Sequence, residues 1–232
     1  MKIILSPSKT ATWTTSPNLD DREPLFPNKT NTLARQLARM SKTKLQKALK
    51  LSDSLTEEVY QMYKSFFETH PVQAFPSFDG LVFKQLRREQ YSKAQWDYIA
   101  SNVRILDALY GVLQAGTLIA PYRLDMKASI GRNLYTYWNI SDHFKDDVIL
   151  NLASKEFAQM VLVPVIDVEF LQCHNGSCEA QATYSKMARG QMLDYLIEHQ
   201  VTSLESVRLF NRDGYCFDPE RSTTETLVFV RR

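Results

Sequence analysis

The alternation of apolar and polar positions along the chain predicts short buried strands interleaved with amphipathic helices. Short apolar runs bounded by polar or turn residues are typical of strands that are buried on both faces. By this criterion, strands are predicted at 2–5, 78–83, 103–106, 148–152, 161–170, 179–184 and 227–230.

Helices are predicted where apolar residues recur every three or four positions. Two helix starts carry a capping box, formed by Ser54 with Glu57 and by Ser92 with Gln95. The predicted helices lie at 31–40, at 42–50, after Ser54, after Ser92 and at 186–200. No regular βα repeat, internal repeat or linker divides these elements. We therefore predict one domain over residues 1–232, of the α+β class, with a central mixed sheet.

The dipeptide Asn175-Gly176 is the strongest hairpin signal in the sequence. With these two residues as the turn, Cys173 stands opposite Cys178 in a non-hydrogen-bonded pair, with Cα atoms about 4.5 Å apart. Our hypothesis is that the two thiols form a peroxide-sensitive pair. The alternative is two reduced, inert thiols on a surface hairpin. The third cysteine, Cys216, is expected to be buried.

Composition narrows the class of protein but does not name a function. Apolar residues make up 44% of the 232 positions and charged residues 23%, which is ordinary for globular proteins and excludes disordered or collagen-like chains. No apolar run approaches the roughly 18 residues of a transmembrane helix. The apolar stretch at the N-terminus is shorter than the roughly 7–15 residues of a signal peptide. A cytoplasmic protein with no membrane partner is therefore expected.

The net charge of +2 is too small to indicate nucleic-acid binding by itself, but the charge is unevenly distributed. Residues 24–52 contain no Asp or Glu. Within them, Arg35, Arg39 and Lys42 follow helical spacing opposite an apolar face, which predicts a basic stripe suited to an anionic partner. The alternative is a solvated helix face whose charge is balanced by acidic residues elsewhere.

Standard catalytic and metal-binding motifs are missing from the sequence. There is no glycine-rich phosphate loop and no G-x-S-x-G motif. The four histidines show no metal-ligand spacing. Neither a metal site nor a cofactor is expected, and direct iron sequestration is disfavoured.

Polar residues follow several predicted strands, at positions where side chains from separate strands can gather into one cleft. These residues are Ser6, Lys9, Thr10, Asn151, Ser154, Lys186 and Arg189. Aromatic surfaces and a further cation would come from Tyr110, Tyr122, Arg123, Tyr137 and Trp138. Such a site would suit phosphate groups or stacked bases. Each residue could instead cap a helix, fill the core or pair with a carboxylate.

Eight segments form a recognisable pattern. They are SPSKT at 6–10, FDGLVFKQL at 78–86, ILDALYGVL at 105–113, PYRLDM at 121–126, LYTYW at 134–138, NLASKEF at 151–157, KMARGQM at 186–192 and DGYCFD at 213–218. With these segments in this order, the sequence resembles the YaaA family of bacterial peroxide-stress proteins over nearly its whole length.

This resemblance implies a cytosolic protein that limits oxidative damage to DNA and protein by keeping free iron low. It also implies a single-domain fold of unusual topology with a positively charged cleft, whose ligand is duplex DNA, especially distorted DNA. A helix-hairpin-helix-like element of the family would correspond to residues 109–113. There, Tyr110 and Gly111 would present backbone N–H groups to a phosphate.

Two functions remain in competition at this point. The first is a monomeric stress protein that binds duplex or distorted DNA through the cleft and the basic stripe, and this is our prediction. The second is an enzyme acting on a small anionic or nucleotide-like substrate in the same cleft, with Tyr110 or Lys186 as acid or base. A deep pocket of about 300–1,000 Å³ lined by the predicted residues would favour the second function.

Overall fold

A computed structural model describes residues 1–174 and 177–232 of the protein. The predicted turn Asn175-Gly176 lies outside the described residues. The strands are β1 (Lys2–Leu5), β2 (Val72–Gln73), β3 (Val103–Asp107), β4 (Gly111–Gln114), β5 (Leu118–Ile119), β6 (Ile149–Asn151), β7 (Ile166–His174), β8 (Ser177–Glu179), β9 (Tyr215–Phe217) and β10 (Thr226–Arg231).

Helices connect these strands. They are α1 (Pro27–Ala38), α2 (Lys42–Leu49), α3 (Asp53–Lys64), α4 (Ala74–Ser77), α5 (Lys93–Asn102), α6 (Leu134–Tyr137), α7 (Lys155–Ala158), α8 (Ala182–Glu198) and α9 (Leu204–Val207). Short 3-10 turns cover Phe83–Gln85, Arg88–Gln90, Ser141–His143 and Arg212–Gly214. In the described part of the chain, none of the helices has the length and apolarity to span a bilayer.

The main sheet has the strand order β4-β3-β1-β6-β7-β10-β9, and β8 pairs with the second half of β7. The five inner strands run parallel, whereas β4, β8 and β9 are antiparallel to their neighbours. The predicted α+β class with a central mixed sheet is therefore confirmed. A separate pair of short strands, β2 and β5, lies outside this sheet.

The centre of the sheet explains the most apolar segment of the sequence. Ile3, Ile4 and Leu5 on β1 are fully buried, because parallel strands flank β1 on both sides and side chains cover both faces. In register, Ile3 lies between Val103 of β3 and Leu150 of β6. The strands predicted at 2–5, 103–106, 148–152 and 227–230 are all confirmed, with small shifts at their ends.

Three predicted strands differ from the structure. Residues 78–83 are not a strand: Phe78 forms only an isolated bridge to Ala11, and a 3-10 turn begins at Phe83. Both phenylalanines are buried core residues whose rings lie 5.4 Å apart, which explains why the segment is apolar. The strand predicted at 161–170 begins only at Ile166, since Pro164 lacks a backbone N–H for a ladder. The strand predicted at 179–184 ends at Glu179, and α8 begins three residues later.

Some observed helix ends differ from the predicted ones. Helix α1 starts at Pro27, four residues earlier than predicted, because proline fits the first helical position. The Ser54–Glu57 capping box is wrong, since α3 starts at Asp53 and places Ser54 inside the helix. The Ser92–Gln95 capping box is confirmed, with backbone-to-side-chain bonds of 2.8 and 3.3 Å in the two directions.

Candidate functional site

The carboxyl ends of β1 and β6 form a crevice in the middle of the sheet. These strands are neighbours, but the next strand of the main sheet after β1 is β3, on one side, and the next after β6 is β7, on the other. Where connections leave two adjacent parallel strands in opposite directions, the loops separate and leave room for a ligand. The topology therefore locates a candidate site before any side chain is considered.

Ser6 and Ser154 face each other across this crevice. Ser6 follows β1 and Ser154 precedes α7, a few residues after β6. The Ser154 backbone N–H donates to Ser6 Oγ at 2.8 Å, and Ser6 Oγ donates to Ser154 Oγ at 3.1 Å. The Ser154 hydroxyl is left with a proton to donate, so this pair offers a hydrogen-bond donor at the floor of the crevice.

The cleft above these serines has a volume of about 480 Å³. Six predicted site residues line it: Ser6, Lys9, Thr10, Ser154, Lys186 and Arg189. They come from the ends of β1 and β6 and from α8, which are up to 183 positions apart in the sequence. The rest of the wall is largely apolar and includes Leu81, Val82, Phe83, Leu152 and Phe157.

Charges in the cleft favour an anion, but only moderately. Lys9, Lys186 and Arg189 face two carboxylates, Asp125 and Glu156. Lys9 is already paired, since its Nζ lies 2.8 Å from Asp125 Oδ2. Among the described residues, neither Lys186 nor Arg189 lies within salt-bridge distance of a carboxylate. These two cations are therefore available to an anionic ligand.

One donor of Arg189 lacks a hydrogen-bond partner among the described residues. This donor is the Nε, which is buried. Burial lowers the pKa of Arg189, and the carboxylates of Asp167 and Glu169 oppose that effect. An arginine remains protonated under these conditions, so the charge of Arg189 and its unsatisfied Nε donor favour a carboxylate or phosphate group in the cleft.

Gly190 brings α8 close enough for Lys186 and Arg189 to line the cleft. A Cβ at this position would lie 2.2 Å from the carbonyl oxygen of Val82, which is backbone and cannot swing aside. Glycine therefore allows the helix to pack directly on residues 80–83, the opposite wall of the cleft. The motif KMARGQM thus contains both cations and the glycine that allows the close packing of their helix.

The opposite wall is held by Arg88, which sequence reasoning missed. Its guanidinium donates to the carbonyls of Pro76 at 2.9 Å and Phe78 at 2.7 Å. It also lies over the rings of Phe75 and Phe83, and burial lowers its pKa to about 10. The surrounding sequence gives no periodic signal for this role, because the partners are carbonyl groups.

A smaller hollow of about 70 Å³ adjoins the cleft and contains the remaining predicted cation. Arg123 and Tyr122 line this hollow, so all four cations predicted to share one region, Lys9, Arg123, Lys186 and Arg189, lie around two adjoining depressions. The aromatic side chains of Trp13 and Phe78 also line the hollow. Neither was predicted as a site residue.

The family follows from comparison of the whole chain with known proteins. The sequence profile described as peroxide stress protein YaaA matches residues 1–221, which include every residue of the cleft. The chain belongs to this family. It is 32% identical to a UPF0246 protein of Fusobacterium nucleatum over 100% of this chain and 99% of the relative. A UPF0246 protein of Finegoldia magna is 33% identical, over 100% and 98% of the two chains.

Several residues predicted for the cleft of this YaaA family member line neither the cleft nor the hollow beside it. Trp138 Nε1 donates to the Ala108 carbonyl at 2.8 Å, and the Ala120 N–H donates to the Tyr110 hydroxyl at 2.9 Å. Gly111 has a φ of +79°, and a Cβ there would lie 2.6 Å from the Trp138 ring. Asn151 is buried and shapes the turn after β6, where its Oδ1 accepts from the Ala153 N–H at 2.8 Å. These residues stabilise the scaffold.

The helix-hairpin-helix-like element expected at 109–113 is a β-hairpin in this protein. Strands β3 and β4, not helices, flank the turn. Asp107 Oδ1 accepts from the N–H groups of Leu109 and Tyr110 at 2.8 and 2.9 Å, so these donors are not available to a phosphate. The hydroxyl of Tyr122 donates to the second carboxylate oxygen. Burial raises the pKa of Asp107 to about 6, although these bonds oppose the shift.

The basic stripe is not one helical face. Helix α1 ends at Ala38, so Arg39 caps it and Lys42 opens α2. Lys42 forms a salt bridge with Glu57, as expected for a solvated helix face whose charge is balanced by acidic residues elsewhere. Arg35 and Arg39 are exposed and, within the described ranges, form no salt bridge. The exposed basic patch therefore consists of Arg35 and Arg39.

The predicted pairing of Cys173 with Cys178 and the predicted burial of Cys216 have different outcomes. Cys173 and Cys178 stand opposite each other in the β7–β8 pair and are joined by a disulfide, with Cα atoms 4.0 Å apart. Cys216 is exposed, so its expected burial is wrong. On β9 the inward positions are occupied by Tyr215 and Phe217, and alternation along a strand turns Cys216 outward.

Proposed function

We propose that this YaaA family member binds a small anionic molecule in the cleft between β1 and β6, and that it acts in peroxide stress through this ligand. The observation that carries the proposal is the convergence of the Ser6–Ser154 pair with Lys186 and Arg189 at the switch point of the sheet. Of the two functions left open by the sequence, the volume of the cleft, about 480 Å³, favours the small ligand.

The chemistry of the wall supports an anion with several acceptor oxygens. Arg189 has a buried donor without a protein partner, and Lys186 adds an unpaired charge near it. Serine and threonine hydroxyls supply neutral donors on the other side. Charge-assisted bonds are stronger than neutral ones, and a volume of about 480 Å³ lies within the usual range for small-molecule sites.

Catalysis in this cleft would depend on Lys186 rather than Tyr110. The Tyr110 ring is buried outside the cleft, and burial raises the pKa of its hydroxyl well above the usual range. Lys186 is exposed to the cleft. The low level of free iron that the resemblance implies would be a consequence of binding this ligand, not of iron binding by the protein. Direct iron binding is not part of the proposal, because the described residues hold no cluster of three His, Cys, Asp or Glu side chains suited to a metal.

A second candidate function is duplex DNA binding through the exposed basic patch of Arg35 and Arg39. Both guanidinium groups are exposed, and a shallow depression of about 440 Å³ lies between them with Thr32 and Gln36. Phosphate contacts of this kind need a charged surface rather than an enclosed pocket. This patch and the cleft have no lining residue in common, so the two candidates can be separated.

Calorimetric titration of pyrophosphate and of a DNA duplex tests both candidates with the same variants. Arg189→Gln should weaken pyrophosphate binding by at least about tenfold, because a charge-assisted bond is lost, and should leave duplex binding unchanged. The matched double variant Arg35→Gln/Arg39→Gln should do the reverse. It should flatten the dependence of log affinity on log salt by about two units, one for each phosphate contact.

A wild-type protein that binds neither pyrophosphate, citrate nor phosphate at about 50 mM salt contradicts the anion site. Duplex affinity that is lost in Arg189→Gln but kept in the double variant would instead place DNA in the cleft.

A further inference from the structure

The small hollow beside the cleft has an aromatic wall. Trp13, Phe78, Tyr122 and Phe157 line it, and the hollow shares Phe157 and four further residues with the main cleft. The other shared residues are Pro7, Ser8, Lys9 and Asp125. The two depressions therefore adjoin along one wall, and a single ligand of suitable length could occupy both.

Trp13 is held in an unusual backbone conformation at this hollow. Its φ is +48°, in the left-handed region, which is disfavoured for a bulky side chain. Such strain persists only where the surrounding structure imposes it, and it is concentrated at ligand-binding sites. An asparagine or glycine would occupy this backbone position at a lower cost, so the indole ring itself is the feature to explain.

Ser77 imposes the conformation from both sides of Trp13. The Ser77 carbonyl accepts from the Thr12 N–H at 2.8 Å, and the Ser77 hydroxyl accepts from the Thr14 N–H at 3.2 Å. Ser77 is completely buried and belongs to the wall segment that Arg88 holds in place. The backbone on both sides of Trp13 is therefore held by a buried part of the fold, and the Trp13 side chain lines the hollow.

The other two tryptophans show what a structural role looks like in this protein. Trp96 is 3% exposed and Trp138 is 1% exposed, so both are core residues. Trp13 is only half-buried and lines the hollow. This difference separates Trp13 from the core aromatics.

The order of groups along the two depressions matches the order of groups in a nucleotide. Arg189 and Lys186 lie in the cleft, and Trp13 and Tyr122 lie in the hollow. The shared wall carries the Lys9–Asp125 ion pair, in which Lys9 contacts Oδ2 and leaves Oδ1 of Asp125 as a further acceptor. Cations bind a phosphate, a carboxylate accepts hydrogen bonds from sugar hydroxyls, and aromatic rings stack on a base.

We propose that Trp13 and Tyr122 form a base-stacking subsite and that the ligand of the cleft is a nucleoside phosphate. This inference rests on the proposed anion site, because the phosphate end occupies that site. The aromatic side chains of the hollow would select ligands that carry a base, which the cations of the cleft cannot do.

Titration with adenosine 5′-monophosphate and ribose 5-phosphate tests the subsite, with calorimetry and tryptophan fluorescence as readouts. The nucleotide should bind at least about tenfold more tightly than the sugar phosphate, because stacking on a base contributes at this level. It should also quench the Trp13 emission and protect it from acrylamide, whereas the sugar phosphate should not. Trp13→Leu should remove the preference and leave the sugar phosphate affinity unchanged. Phe67→Leu, which alters an exposed aromatic residue outside both depressions, should behave as wild type.

Equal affinities for the two compounds in the wild-type protein would overturn the base-stacking subsite and leave the anion site standing. Absence of binding by both would overturn the anion site itself. If Trp13→Leu fails to fold, the acrylamide experiment on the wild-type protein decides the question, since unprotected Trp13 emission at saturating nucleotide contradicts the stacking.

Discussion

The hydroxyl oxygens of Ser6 and Ser154 lie 3.1 Å apart, although the two residues are 148 positions apart in the sequence. This contact joins the ends of β1 and β6 and forms the floor of the cleft. The Ser6 hydroxyl also accepts the hydrogen bond of the Ser154 backbone N–H. A change at Ser6 therefore affects both the stability of the crevice and the geometry of the site.

Ser6→Ala should destabilise the protein by about 1 kcal/mol, because it leaves the Ser154 N–H without its acceptor. Ser154→Ala should cost less, since it removes only the bond between the two hydroxyls and leaves the backbone bond in place. Urea unfolding measures both values, and Ser129→Ala at an exposed position serves as the control. Equal costs for the two cleft variants would contradict the role of the Ser6 hydroxyl as acceptor of the Ser154 backbone N–H.

Asp107 should make the protein less stable as the pH rises from about 4 to above 6. Its pKa is about 6 in the folded protein and about 3.9 when unfolded, so the folded state holds the proton more tightly. The stabilisation is present below the unfolded pKa and is lost through the folded one, with a span of up to about 3 kcal/mol.

The Asp107→Asn variant isolates this contribution. It should show a flatter stability profile than wild type between pH 4 and 7 in chemical unfolding, because the titrating group is gone while an oxygen acceptor for the N–H groups of Leu109 and Tyr110 remains. Parallel profiles for wild type and variant would mean that Asp107 titrates normally.

The buried carboxylate of Asp194 should be among the most sensitive positions for stability. It is 2% exposed and accepts bonds from Arg87, Arg212 and Tyr91. Asp194→Ala should destabilise the protein by about 3–5 kcal/mol, because the arginines lose a buried partner. Glu225→Ala, at an exposed carboxylate without a salt bridge among the described residues, should change stability by less than about 0.5 kcal/mol.

Asp194 also gives a pH dependence opposite to that of Asp107. Burial acts to raise the pKa of Asp194, but hydrogen bonds from Tyr91, Arg87 and Arg212 outweigh it and hold the pKa below the usual value. Its contribution is therefore present above about pH 4 and is lost as the pH falls through the folded pKa. Thermal melts of wild type and Asp194→Asn should converge in acid. A constant gap down to pH 2 would contradict the shift.

Peroxide should close the Cys173–Cys178 pair, because the two residues are already opposed on β7 and β8. Two thiols and one hydrogen peroxide give one disulfide and two water molecules. Thiol counting should find three free thiols in reduced protein and one after mild peroxide, the remaining thiol being Cys216. Cys216→Ser should still lose two thiols, whereas Cys178→Ser should lose none to an internal bond. Three free thiols before and after treatment would end the hypothesis.

Local patterns were sufficient for much of the sheet and for one part of the site. Strand β1 and the capping box at Ser92 depend on neighbours in the sequence, so periodicity and residue type predict them. The meeting of Ser6 and Ser154 was predictable for a related reason, since parallel strands end at the same edge of a sheet. Arg189 lies within α8 and not after a parallel strand, so its place in the cleft depends on how that helix packs.

The amino-acid sequence by itself determined the fold class, the main strands and the set of polar residues from which the cleft is built. Only the tertiary structure decided which of these residues face the cleft, because that depends on partners more than 100 positions away. The Ser6 hydroxyl finds Ser154, and α8 reaches residues 80–83 through Gly190. The strained backbone of Trp13 likewise depends on Ser77, a partner 64 positions along the chain that no local pattern indicates.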